Sequence, residues 1–192
     1  MIRDQLIFGL GRLSALARQQ EWRAGEDAGL TPTQGDALRL LQGRTEGLRL
    51  NQLAAQLSVR PSTASDAVSA LVAKGLVKRL PDPENARAVR VSLTKAGHEM
   101  LGTVPDGHSS MVAVLSDAEV EVMHRFVLQT ITRLQQAGQI APQRMCVTCR
   151  YFVPESELEQ PGRAYCNLIQ APLEPVDLRI NCPEHEEKAE RS

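Results

Sequence analysis

The chain has 192 residues, of which 42% are hydrophobic and 23% charged, an ordinary composition for a soluble globular protein. No apolar run approaches the roughly 20 residues that a membrane-spanning helix needs. The amino-terminal segment carries scattered charges and no small-residue cleavage site, so we expect a cytoplasmic protein that does not contact a membrane. The net charge of −1 is uneven, because residues 44–95 carry +5 and residues 145–192 carry −4. That distribution suits a nucleic-acid-binding body with an acidic appendage, although two ordinary solvated faces would also give it.

The first predicted element is an amphipathic helix over residues 2–19. Its apolar face is formed by residues three or four positions apart: Ile2, Leu6, Leu10, Leu13 and Leu16. A small domain offers such a face few partners inside one subunit. We therefore assign residues 1–30 to a dimerisation helix that packs against a second copy of the chain.

Three further helices are predicted between residues 31 and 75. Thr31 can cap the first of them, with Gln34 completing a capping box. A short amphipathic helix over 50–57 is then broken by Ser58-Val59-Arg60, and Pro61 starts a second one that Gly75 ends. The apolar residues of that second helix are expected to face inward: Ala64, Val68, Leu71 and Val72. Two short helices joined by a tight turn predict a helix-turn-helix.

A β-hairpin is predicted next, because residues 77–80 and 89–93 alternate in polarity on either side of a Pro- and Asn-containing turn. This hairpin would be the wing of a winged helix-turn-helix domain over residues 31–97. Ser116 and Glu119 form a capping box that starts a long helix, which ends near residue 135. We assign residues 98–140 to further dimerisation helices.

The two most informative strings are LNQLAAQLSVRPSTASDAVSALVAKGLV, over 50–77, and RLPDPENARAVRVSLTKAG, over 79–97. Together they resemble the MarR (multiple antibiotic resistance regulator) family of winged-helix repressors, and the resemblance spans roughly residues 1–138. It implies a mainly α fold with a small β-wing and terminal helices that interlock into a two-fold homodimer. It also implies that the 61–74 helix enters the major groove of double-stranded DNA while the wing reaches the adjacent minor groove. The operator should then be a pseudo-palindrome.

Nine residues are predicted to contact DNA from the second helix of the motif and from the wing: Arg60, Ser62, Thr63, Ser65, Asp66, Ser69, Arg79, Arg87 and Arg90. Short hydroxyl side chains and one arginine can contact bases or phosphates, although helix capping is the alternative role for the hydroxyls. Arg87 lies in the wing turn, where a narrow minor groove concentrates negative potential. Two positions depart from the family pattern. Asn85 replaces a common Asp, and Asp66 replaces a frequent Arg, which leaves the base preference open.

All four cysteines lie in residues 141–192, with the spacing C-x2-C-x16-C-x15-C: Cys146, Cys149, Cys166 and Cys182. Clustered cysteines in a cytosolic chain bind metal more often than they form disulfides. One C-x-x-C knuckle followed by two isolated cysteines resembles high-potential iron–sulfur proteins, so we favour an iron–sulfur cluster, [4Fe–4S] in type. Zinc is the alternative cofactor, and free or disulfide-bonded thiols are a third possibility.

Two functions follow from these features. The first is a regulator whose operator affinity depends on the cluster and so senses redox state, iron or oxygen. The alternative is a repressor that responds to a small-molecule effector and carries a purely structural zinc tail. We do not expect an enzyme, since none of the four histidines pairs recognisably with a serine or cysteine and the sequence has no phosphate-binding glycine loop.

Overall fold

The computed structural model describes residues 1–102, 107–157 and 163–188, and only the backbone at residues 86 and 87. The chain divides into two compact units, Met1–Leu115 and Ser116–Ser192. Among the described residues, no helix is long and apolar enough to cross a bilayer. The four-part division over 1–30, 31–97, 98–140 and 141–192 stays a prediction.

The elements of the first unit follow the predicted order: α1 (Ile2–Ala28), α2 (Pro32–Leu41), β1 (Leu48–Arg49), α3 (Leu50–Gln56), α4 (Pro61–Ala73), β2 (Val77–Asp82), β3 (Asn85–Leu93), α5 (Lys95–Leu101) and α6 (Ser109–Val112). The strands form an antiparallel sheet in the order β1-β3-β2. This mainly helical unit with a small antiparallel sheet confirms the predicted winged helix-turn-helix.

Leucine and valine side chains from α2, α3, α4 and β3 fill the core of this unit. Its fully buried members are Leu38, Leu41, Leu53, Val68, Leu71 and Val91. The Thr31–Gln34 capping box forms as predicted, with the Gln34 N–H donating to Thr31 Oγ1 at 3.3 Å. The prediction for Val72 was wrong, because this side chain is 36% exposed while Ala67 is buried. Val72 lies one helical step beyond the stripe that faces the core.

Helix α1 is longer than predicted, and it extends nine residues beyond position 19 to Ala28. The added segment is mostly polar, so it lacks the apolar periodicity that reveals a helix in sequence. The predicted apolar face lies exposed in the single chain, from Ile2 at 85% to Leu16 at 39%. Such a face is what a contact with a second subunit requires.

The second unit contains α7 (Asp117–Gln136) followed by short elements around the cysteines. They are the 3-10 turns Cys146–Thr148, Glu155–Glu157 and Pro175–Asp177 and the strands β4 (Phe152–Val153), β5 (Ala164–Cys166) and β6 (Ala171–Leu173). These strands form an antiparallel sheet in the order β4-β5-β6, and Phe152 pairs with Cys166. Helix α7 begins at the predicted box, where Glu119 Oε2 accepts the Ser116 N–H at 2.8 Å.

Candidate nucleic-acid interface and cysteine cavity

Helix α4 has two chemically distinct faces. Ala64, Val68 and Leu71 pack into the core, and the opposite face carries polar groups. The structure leaves these predicted contact residues exposed: Arg60, Ser62, Thr63, Asp66 and Ser69. Ser65 is half-buried beside them. Helix α4 begins at Pro61, and Arg60 before it makes no side-chain cap. Ser62 and Thr63, in the first turn of the helix, are exposed.

A hydrogen bond joins α4 to the wing. Arg79 on β2 donates from Nη2 to Ser69 Oγ at 2.9 Å. Both residues are exposed and both are predicted to contact DNA. The bond therefore holds the Arg79 side chain next to helix α4.

A buried carboxylate organises the base of the wing. The Asp82 side chain is fully buried, and its Oδ1 accepts from Arg49 Nη2 at 3.1 Å while its Oδ2 accepts from Arg90 Nε at 3.1 Å. Arg49 Nε also donates to Oδ2. The hydrogen bonds from Arg49 are the main cause that holds the pKa of Asp82 well below its usual range, and the Glu84 N–H and Arg90 add to it.

Arg90 therefore has a structural role that the sequence did not reveal. Its side chain is only 14% exposed, and besides Asp82 it contacts the carboxylates of Glu46 at 3.2 Å and Glu84 at 3.7 Å. The phosphate contact assigned to Arg90 stays a prediction. Asp82 also supplies an acidic brace to a wing in which Asn85 is neutral. The Arg87 side chain lies outside the described residues, and its minor-groove role likewise stays a prediction.

Three of the four cysteines, Cys146, Cys166 and Cys182, line a cavity of about 660 Å³ in the second unit. Cys149 is buried at the end of the turn that begins at Cys146. The Cys149 N–H donates to the Cys146 carbonyl at 2.9 Å, which closes the C-x-x-C knuckle. All four thiols are free.

The surroundings of Cys146 disfavour its ionised form when no cation is bound. Burial raises the pKa of the Cys146 thiol, and an N–H from Arg179, 3.2 Å from the sulfur, opposes that rise. The nearby Cys182, Cys149 and Cys166 raise this pKa as well, through the negative charge of their thiolates. Zinc and iron–sulfur clusters both prefer such a donor set. Within 1–102, 107–157 and 163–188, no group of His, Cys, Asp and Glu is arranged to hold a metal ion, and the centre stays a prediction.

Hydrogen bonds join the tail to α7 just before the first cysteine. Gln135 donates from Nε2 to the sulfur of fully buried Met145 at 3.0 Å, and it also accepts the Gln143 N–H. The knuckle itself is held by His185, whose Nε2 lies 2.9 Å from Thr148 Oγ1. The ring of His185 is partly buried as well as hydrogen-bonded.

The sequence missed one residue of the cavity. His124 of α7 lines it together with the three cysteines, and nothing in the sequence indicated that this histidine would lie there. The two positions belong to different elements, so only the folded tail brings them together. The aromatic residues of the tail, Tyr151, Phe152 and Tyr165, are all half-buried.

Comparison with known proteins gives a consistent family. The MarR family model matches residues 30–89. A probable transcriptional regulator from Pseudomonas aeruginosa is 30% identical, with 68% of this chain and 99% of that chain covered and a TM-score of 0.54. CouR from Rhodococcus jostii RHA1 bound to p-coumaroyl-CoA is 26% identical, with 68% and 94% covered and a TM-score of 0.58. A MepR–DNA complex from S. aureus, at 23% identity, 66% and 96% coverage and a TM-score of 0.56, shares the fold. A comparison with curated proteins found no match.

Proposed function

Because this chain belongs to the MarR family of DNA-binding transcriptional regulators, we propose that it binds a pseudo-palindromic operator as a homodimer and that a cysteine-bound iron–sulfur cluster changes its operator affinity. The observation that carries the DNA-binding part is the two-faced α4, whose apolar side is core and whose outer side presents Arg60, Ser62 and Thr63. Short donors and an arginine at the start of a recognition helix suit base edges and phosphates.

The sensing part rests on the second unit. Helix α7 exposes apolar side chains that fit a second subunit: Val122, Met123, Phe126 and Val127. The same helix holds the tail through Gln135 and Met145. When bound, a cluster would supply redox and oxygen sensitivity, with the four cysteines as its ligands and the Arg179 N–H donating to Cys146. Ordering of the tail is thereby linked to a helix of the proposed dimer interface.

A second candidate follows from CouR, which is a relative seen with a bound small molecule. Here the regulator responds to a small-molecule effector and the cysteines hold structural zinc, which a four-thiolate set also suits. Anaerobic purification with metal analysis and a visible spectrum separates the two. A brown, iron-containing protein supports the cluster, whereas a colourless protein with one zinc per chain supports the alternative.

Arg87, which lies in the wing turn, gives a direct test of DNA binding. We expect Arg87→Ala to weaken binding to all duplex sequences and to lower the slope of log affinity against log salt by about one unit, because one phosphate-directed charge is lost. Titration at several salt concentrations against an operator selected from random duplexes measures both effects. Arg163→Ala, in the acidic tail, removes the same charge and should leave the slope unchanged. An unaltered slope for Arg87→Ala would exclude the wing from binding.

The operator geometry tests the dimer. Two recognition helices related by a two-fold axis should protect two half-sites whose centres lie about 10 bp apart. Footprinting gives the spacing, and light scattering at the same concentration gives the mass. A single asymmetric half-site, or a monomer that binds fully, would contradict the proposal.

A further inference from the structure

One side chain connects the cysteine cavity directly to α7. The other described residues that line the cavity belong to the tail, from Cys146 to Glu184, whereas His124 comes from the middle of the helix. It is half-buried there, and the 3-10 turn Pro175–Asp177, which packs on α7, contributes Val176 and Asp177 to the same lining. Among the described residues, His124 is therefore the one through which α7 borders the cavity.

We propose that His124 donates an imidazole hydrogen bond to the sulfur atoms of the centre and thereby couples the state of the centre to helix α7; this rests on the proposed iron–sulfur function. Four cysteines already make up the usual ligand set of a cluster. An imidazole at the edge of the cavity would therefore hydrogen-bond to the sulfur atoms and would not bind iron. The centre already collects one donor of this kind, the Arg179 N–H on Cys146 Sγ at 3.2 Å.

The position of His124 on α7 explains why the contact would matter. Its neighbours Met123, Phe126 and Val127 are 43%, 52% and 37% exposed, and they form the apolar face offered to a second subunit. Gln135 holds the tail further along the same helix. The helix thus borders the cavity at His124 and is hydrogen-bonded to the start of the cysteine segment near its own end. A change at the cavity therefore acts on the segment of α7 that carries the apolar face.

The test uses full-length protein reconstituted anaerobically with ferrous iron and sulfide. His124→Phe fills the space without a donor, His124→Gln restores an N–H donor, and His98→Phe on α5 is the matched control. Iron per chain, the reduction potential and hydrogen exchange of residues 117–136 with and without iron are measured for each protein. We expect equal iron in all of them. His124→Phe should have a lower potential, because hydrogen bonds to sulfur favour the reduced cluster, and should lose the slowing of α7 exchange on iron loading.

The outcomes separate this inference from the function beneath it. Restoration of both properties in His124→Gln supports the donor role. Loss of iron in both His124 variants would make the imidazole a ligand or a structural support and overturn the proposal. If His124→Phe keeps the wild-type reduction potential and the wild-type hydrogen exchange of α7, His124 only lines the cavity and the proposal is wrong. A wild-type protein that takes up no iron would overturn the iron–sulfur function together with this inference.

Discussion

Replacing Asp82 with asparagine should weaken operator binding by about tenfold or more, the size expected when a buried, hydrogen-bonded charge loses its ionic form. The Asp82 carboxylate is fully buried between Arg49 and Arg90. Asparagine has nearly the same shape, but it is neutral and turns an N–H2 group toward two guanidinium groups. The wing would then lose the brace that ties the end of β2 to Arg49 on β1 and Arg90 on β3, and the wing residues would no longer be held in the position that DNA requires.

Glu84→Gln is the matched control, because Glu84 touches the same two arginines, at 2.8 Å and 3.7 Å, from a side chain that is 71% exposed. Exposed ion pairs contribute little, so its operator affinity should stay close to that of the wild type. Fluorescence anisotropy on one operator compares the three proteins. If Asp82→Asn binds as tightly as wild type, the buried carboxylate does not position the wing.

The pH dependence of stability gives an independent check on the same carboxylate. The folded pKa of Asp82 is lowered below its ordinary value of 3.8, first of all by the Arg49 hydrogen bond. The stabilisation by the ionised group is therefore fully present above about pH 5 and is lost as the pH falls through 3.8 toward the folded pKa. Wild type should unfold at a higher temperature than Asp82→Asn at neutral pH, and the difference should shrink in acid.

Local signals carried most of what the sequence predicted correctly. The Thr31 capping box, the proline that starts α4 and Gly75, whose φ is 70° just beyond that helix, each act within a few residues, so they can be read without knowing the fold. The second half of α1 is polar and was missed. The strands of the tail sheet have only two or three residues, too few for an alternating pattern to show.

The side-chain partners were less predictable because they depend on tertiary pairing. Arg90 has the charge and the strand position of a phosphate contact, and nothing in the sequence says that Asp82 will face it across the hairpin. The Arg49–Asp82 pair spans 33 positions. His124 lines the same cavity as three of the cysteines only because the tail folds back on α7. Residue types and spacing therefore indicated which chemistry to expect, while the choice of partners came from the fold.

Substitution of any one of the four cysteines by serine should abolish metal binding while the winged-helix body still folds. Three of the cysteines line one cavity, and the fourth belongs to the C-x-x-C knuckle that its backbone N–H closes. A hydroxyl at any of these positions removes a thiolate from the proposed set. The buried core cluster runs from Leu30 to Leu93 and contains no described residue of the tail. Circular dichroism should therefore show little loss of helix, and metal analysis should show the loss of iron.

The same substitutions decide whether the centre regulates DNA binding. Loss of metal frees a tail that is attached to α7 through Gln135, and a coupling of about 1–3 kcal/mol would change operator affinity roughly 5- to 150-fold. Anaerobic protein, air-exposed protein and Cys166→Ser are compared on one operator. Ala171→Ser is the control, since Ala171 pairs with Cys166 on the neighbouring strand and its replacement keeps every thiol. It should match the anaerobic wild type, whereas the air-exposed protein and Cys166→Ser should both differ from it. Equal affinity in all four samples would leave the cysteines a purely structural role, because a centre that can be removed without changing operator affinity cannot report its state to DNA.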